Sequence, residues 1–170
     1  MSNNNLYAWA SIGENGKAVG GKAGDQTGKE LKVGKYYDFG QDKCIRFNNV
    51  EIGKKCGKIA KDLAKNKAIG YNQAQRHTLY NLAKKSGWDL DKLKKALKTQ
   101  RVNCDCSGFA STCINLAFGK QVVGCCTTMT LVNACLNSTH FKVISIKKML
   151  EKTCKGDLVI KEGKHVIINV

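Results

Sequence analysis

The sequence contains no proline, so every reversal of the chain must be made by Gly, Asn, Asp or Ser. Arginine is nearly missing as well. Of 29 basic residues against 13 acidic ones, only Arg46, Arg76 and Arg101 are arginines. Arginine forks are the usual readers of base edges. A formal charge of +16 carried on lysine therefore fits any polyanion, whether nucleic acid, an anionic lipid surface or an anionic wall polymer, and equally the plain solubility of a lysine-rich chain, without a sign of base-specific reading. No apolar run approaches the roughly 18 residues needed to cross a bilayer, and no membrane span is expected. The N-terminus, MSNNNLYAWAS, has no basic region, apolar stretch and cleavage site in succession, which predicts synthesis in the cytoplasm without a signal peptide. Histidine is confined to His77, His140 and His165, which shortens any search for a catalytic base.

The 170 residues, 42% apolar and 25% charged, fall in the globular range and suffice to bury about two thirds of the unfolded surface. No repeat and no linker divides them. We expect a single domain over residues 1–170, with glycine-rich strands and loop in 1–50 and the core in 51–170. The nine cysteines cannot all pair within one chain, and without a secretory signal they are expected to be reduced. Cys56, Cys113 and Cys135 fall at apolar helical positions, where a thiol serves as a small hydrophobe.

Residues 5–40 read as short strands, at Leu6-Tyr7-Ala8-Trp9 and Leu31-Lys32-Val33, around a long glycine-rich loop. Cys44-Ile45-Arg46-Phe47 alternates as a further strand. From Gly53 the period becomes helical, with Cys56, Ile59, Ala60, Leu63 and Ala64 on one face. Further helices are predicted over 72–85, 89–97 and 127–136, with a short one over 147–153 and Trp88 in the corner between the first two. Lys84, Lys85, Lys92, Lys94, Lys95 and Lys98 make the most basic surface, which by itself is a solvated face. A helix capped by Asp105 carries Phe109, Cys113, Ile114 and Leu116 and ends at Gly119. Residues 141–144 read as a strand. Residues 158–160 and 165–168 read as a hairpin turning at 161–164, which would set Ile160 opposite His165. Helices precede most of the sheet, so the class is α+β.

A cysteine directly after a capping Asp sits in the first turn of a helix, where unpaired N–H groups and the dipole favour an anion. Cys106 is so placed. With a cationic imidazole beside it, such a thiol can fall from a pKa of about 8.5 into the range of roughly 3.5–7.5. Among the histidines, His77 lies mid-helix between polar neighbours and His140 in the polar stretch Asn137-Ser138-Thr139, both solvent-facing by context. His165 opens an otherwise apolar strand, the setting of a base in a Cys–His hydrolase. A zinc module on nucleic acid, built from Cys104, Cys106, Cys125, Cys126 and His140 with the lysines, is a disfavoured alternative, because Cys-x-Cys and adjacent cysteines chelate poorly from one loop. Cys104 and Cys106 also lack the two-residue spacer of a redox pair. No metal and no cofactor are expected.

The segments D-C-S-G-F at 105–109 and G-D-L-V-I…K-H-V-I-I-N at 156–169 together resemble the NlpC-type papain-like peptidases and amidases that cut bacterial wall peptides. Gly70-Tyr71-Asn72-Gln73…Arg76 is similar to the G-Y-x-Q segment of phage-encoded peptidoglycan hydrolases (endolysins), and the glycine-rich stretch 20–30 resembles an N-terminal block of the same group. The resemblance implies a papain-like α+β fold, helices packed on a small antiparallel sheet, with Cys106 as nucleophile at a helix N-terminus and His165 as base. It places Tyr71, Gln73 and Ser107 along the substrate cleft. The implied activity is cleavage of amide bonds in peptidoglycan stem peptides, as an endopeptidase or an N-acetylmuramoyl-L-alanine amidase. Implied too are action at the cell wall, a monomeric state and a lysine surface that holds anionic wall polymers. A wall-peptide scaffold without catalysis is the plainer alternative.

In that family a third polar residue orients the histidine, usually from the strand after it. Asn169 shares a strand face with His165 but lies roughly 13 Å along a straight strand. Asp157 is placed near Ile168 by the hairpin and is assigned to the turn. A third residue must then come from elsewhere, with Asp25 and Gln26 as candidates, or from beyond Val170; otherwise Cys106 and His165 act as a dyad.

Overall fold

A computed structural model describes residues 5–170; Met1–Asn4, part of the segment read above for a signal peptide, lie outside the described residues. In chain order the elements are β1 (Leu6–Ala10), β2 (Leu31–Lys35), β3 (Lys43–Phe47), α1 (Val50–Leu63), β4 (Ile69–Tyr71), a 3-10 turn (Gln73–Gln75), α2 (Thr78–Lys85) and α3 (Leu90–Ala96). After these come β5 (Val102–Cys104), α4 (Cys106–Phe118), α5 (Thr128–Leu136), β6 (Phe141–Ser145), α6 (Ile146–Glu151), β7 (Leu158–Lys161) and β8 (His165–Asn169). The class is α+β, as the order of periodicities predicts. Among the described residues no helix is long and apolar enough to cross a membrane.

Six strands form one sheet in the order β2-β1-β8-β7-β3-β6, every neighbouring pair antiparallel. Alternation along the strands separates two apolar faces. Ala8, Ala10, Ile45, Phe47, Ile160, Val166 and Ile168 join the main core with the helices. Tyr7, Trp9, Cys44, Val159 and Ile167 point the other way and form a smaller core with Met149 of α6. The helices can approach closely because small residues line the contact. A Cβ on Gly57 would stand 2.7 Å from the Asn169 carbonyl oxygen, and one on Gly156, whose φ is +88°, would run into the backbone of Gly53.

The sequence reading fails in three places, each for a local reason. Helix α1 starts at Val50 and not at Gly53, because the Asn49 side chain caps it, accepting from the N–H groups of Glu51 (2.9 Å) and Ile52 (3.2 Å). The helix expected over 72–85 is broken: Asn72 caps a 3-10 turn, and α2 begins only at Thr78. Arg76, in the break, is drawn to Asp105 at the head of α4. The hairpin is tighter by one residue than expected, so Lys161, not Ile160, faces His165, and Ile160 faces Val166. Asp157 consequently lies by Asn169, accepting its N–H at 2.9 Å, and not by Ile168. Beyond these, β4 and β5 form a separate parallel pair too short for any period to reveal.

Candidate active site

Helix α4 is buried along almost its whole length, and its first turn is built by side chains from three segments. The Asp105 carboxylate accepts the Gly108 N–H at 2.6 Å, as an N-cap should. Its other oxygen lies 2.9 Å from Arg76 Nε, although that N–H is not aligned for a hydrogen bond, so charge holds the pair. Arg76 also donates through Nη2 to the Cys126 carbonyl, by a short contact, and toward Ser107 Oγ at 3.4 Å. One guanidinium thereby ties the 3-10 turn, the head of α4 and the loop before α5 together.

Cys106 is the first residue of α4. Its thiol meets the sheet where β1 and β8 part. The two strands pair only at Tyr7–Asn169 and Ala8–Ile168. The Val170 N–H still reaches the Leu6 carbonyl at 2.9 Å, whereas the Asn169 N–H turns to Asp157, so the even-numbered amides of β8 face β1. Past Ile168 the next amide on that side is Val166, and it lowers the Cys106 thiol. The N–H groups of Ser107 and of Cys106 itself also point at the sulfur. All three favour a thiolate, yet burial, followed by the negative Asp105, pushes the thiol up to about 12. The lowered thiol pKa expected from the helix N-terminus is therefore not found: Cys106 is only 6% exposed, and no cationic imidazole offsets the loss of water.

A cleft of about 400 Å³ opens over this thiol. Cys106 and Ser107 form its floor, Gln73 and Arg76 one wall, and Thr128, Met129 and the hairpin tip at Gly163 and Lys164 the other. Gln73 and Ser107 both line this cleft. Tyr71 is buried behind Gln73, whose Nε2 donates to its hydroxyl at 3.3 Å. Burial, and next the proximity of Cys106, push that hydroxyl up to about 12.

The glycine-rich block braces this wall from behind. The buried Glu30 carboxylate accepts the N–H groups of Tyr71 (2.8 Å) and Gln26 (2.7 Å). Asn72 Nδ2 donates to the Gly21 carbonyl, and the Gln73 N–H to that of Ala18, both at 2.8 Å. A side chain on Gly70 would collide with the Gly24 backbone. Sequence reasoning overlooked Glu30, because an isolated acid beside a strand carries no signature of burial.

His165 opens β8 with its ring packed on the loop between β2 and β3. The Phe39 ring lies 5.2 Å away, edge to face at 78°, and the Tyr37 ring 6.4 Å away at 38°. Burial, with Lys164 second, lowers the imidazole to about 4. Among the described residues no hydrogen bond joins this ring to Cys106 or to any orienting group. Burial first, and the charge of Cys106 second, raise the Tyr37 hydroxyl. The sequence places Tyr36-Tyr37 only in the short-strand region after the glycine-rich loop, although β2 ends at Lys35, and gives Phe39 no role; a run of three aromatics across Tyr36-Tyr37-Asp38-Phe39 was the available signal.

The candidates for a third residue are all engaged elsewhere. Asn169 donates to Tyr7 Oη at 3.4 Å. Asp157 holds Arg46 through two contacts of 2.7 and 2.8 Å and accepts the Cys154 N–H, the turn role assigned to it. Asp25 accepts the amides of Thr27 and Gly28, and Gln26 donates to the carbonyls of Ala23 and Gly24. His77 is exposed at the start of α2, as its context predicts, while His140 is half-buried and not solvent-facing, its ring packed at a tilt of 42° on Phe118 at 4.7 Å. Cys104 is fully buried, with its thiol on the Gly70 carbonyl. Among the described residues no three His, Cys, Asp or Glu are grouped as metal ligands.

A family model for the Endolysin-like domain matches residues 8–170. No curated protein and no solved structure matches the chain.

Proposed function

Because the chain belongs to the Endolysin-like domain family, we propose that it is a lysin-type hydrolase of the bacterial cell wall, a papain-like cysteine peptidase or amidase of the NlpC type. It cleaves amide bonds in the peptide part of peptidoglycan, as an endopeptidase or an N-acetylmuramoyl-L-alanine amidase. The observation that carries this reading is the seat of Cys106, which heads a buried helix, lies on the amide of the residue after His165 and faces a cleft.

The chemistry is acyl transfer. Both groups rest neutral at pH 7, so the Cys106 proton passes to the His165 imidazole as sulfur attacks the substrate carbonyl. The three amides around sulfur stabilise the charge as it forms, and the Cys106 N–H then serves the oxyanion. Collapse breaks the C–N bond, and the imidazolium returns its proton to the leaving amine. Water, deprotonated by His165, cleaves the thioester, freeing the carboxylic acid and restoring the thiol. Gln73 and Ser107 line the bound peptide, with Tyr71 behind. No cofactor takes part. Excess lysine holds the monomeric enzyme near anionic wall polymers after its synthesis in the cytoplasm, by an attraction that salt weakens.

The test is mass spectrometry of purified wall fragments incubated with the intact protein, Cys106→Ala and His165→Ala. New amine and carboxyl ends that need both residues are expected, and fragment masses then name the bond. A second reading, wall-peptide binding without catalysis, draws on the unjoined, neutral pair; uncut fragments bound equally by all three proteins would establish it.

A further inference from the structure

A base that works beside a nucleophile needs its ring held in one orientation. Asn169, Asp157, Asp25 and Gln26 are all committed away from His165. The imidazole instead meets an aromatic row. Trp9, 9% exposed on β1, packs on Tyr37 at 5.3 Å, Tyr37 on Phe39 at 5.4 Å, and Phe39 on His165 at 5.2 Å.

We propose that Phe39, backed by Tyr37, is the positioning residue of His165, an edge-to-face ring contact standing in for a hydrogen-bonded third residue. This rests on the reading of Cys106 and His165 as a catalytic pair. The loop that carries Phe39 is braced for such a task. Its amide donates to Gln41 Oε1 at 2.9 Å, Gln41 Nε2 makes a short contact with Tyr36 Oη, and the Gly40 N–H binds Asp38 at 2.7 Å. Lys164, the neighbour of His165, donates its ammonium to the Phe39 carbonyl at 3.1 Å. The hairpin tip is thus tied to the aromatic loop beside the imidazole. An edge-to-face pair fixes ring tilt through the quadrupole of the aromatic face. Unlike a carboxylate, it adds no negative charge that would hold a proton on the ring. The charged groups beside His165 are Lys164, next to it in the chain, and Lys161 opposite on β7, whose ammonium pairs with Asp42 at 3.0 Å. Each fits a base kept neutral at neutral pH.

The experiment compares the full chain with Phe39→Ala, Phe39→Leu, Phe39→Tyr and Cys106→Ala. Readouts are kcat and KM on a wall fragment that the intact protein cuts, the His165 imidazole titration by NMR, and thermal unfolding. We expect Phe39→Ala to lower kcat about ten- to a hundredfold with KM within about twofold, and to move the imidazole titration upward. Phe39→Leu keeps the packing and still loses kcat, while Phe39→Tyr restores it. Unchanged kcat and titration in folded Phe39→Leu and Phe39→Ala, with Cys106→Ala inactive, would overturn the positioning role and leave the hydrolase reading intact. Cleavage undiminished in Cys106→Ala, or absent from the intact protein, would remove the catalytic reading and the proposal with it.

Discussion

The backbone N–H of Val166 is aimed at the sulfur of Cys106 because β1 stops pairing with β8 at Ala8–Ile168. A strand amide that a continued ladder would have consumed is left free at the split, and the first residue of α4 takes it. The position of the thiol is thereby fixed to the residue that follows His165 in sequence. Strand pairing, helix capping by Asp105 and the ion pair to Arg76 converge on a single side chain.

The thiol is buried and neutral at rest, so its alkylation should be slow. At pH 7.5 a thiol with a pKa of about 12 is ionised only to the order of one part in ten thousand or less. Peptide-mapped iodoacetamide labelling should modify the half-exposed Cys154 and Cys125 before Cys106. Early labelling of Cys106 would reveal a thiolate at rest and contradict a neutral pair.

His165 ties stability to pH. The unfolded imidazole binds its proton near 6.5 and the native one near 4, so between these values the unfolded state holds more protons. Native stability is then full above pH 6.5 and declines as pH falls toward 4, by on the order of 3 kcal/mol. In urea titrations from pH 7 to 4, His165→Gln should lose less stability than the unaltered protein. Parallel curves would show that the native imidazole titrates normally.

Arg76 and Asp105 have side chains only 15% and 11% exposed. Removing one partner strands the other charge, so Arg76→Met should cost about 3 kcal/mol. Lysine cannot span Asp105 and the Cys126 carbonyl together, and Arg76→Lys should recover less than half of the loss. Denaturant midpoints of the two variants give both values.

Gly156 combines a left-handed backbone with contact against Gly53. Gly156→Ala must both strain φ and push α1 from the sheet, a loss of about 2–4 kcal/mol in thermal or urea unfolding. Gly16, also left-handed but with open space around it, is the control: Gly16→Ala should cost about 1 kcal/mol.

Periodicity and capping are local, which is why the class, α1, α4 and the β7–β8 hairpin were legible in the residues alone. Cys56, Ile59 and Leu63 announce a face, and Asp105 before Cys106 announces a helix head, without reference to anything distant. Cys106 and His165 stood out for the same reason, one from its place after a cap and the other from its strand. Their surroundings were not legible. Arg76 breaks a helix to reach an acid at position 105, and Glu30 spends its carboxylate on the amide of Tyr71. Phe39 reaches His165 across the sheet's second face. Burial could be read only after the chain had closed over the site. Helix termini act within one turn, so the sequence alone foretold a thiol with amides around it. Desolvation depends on every neighbour at once, and only the tertiary structure decided that the thiol and the imidazole rest uncharged.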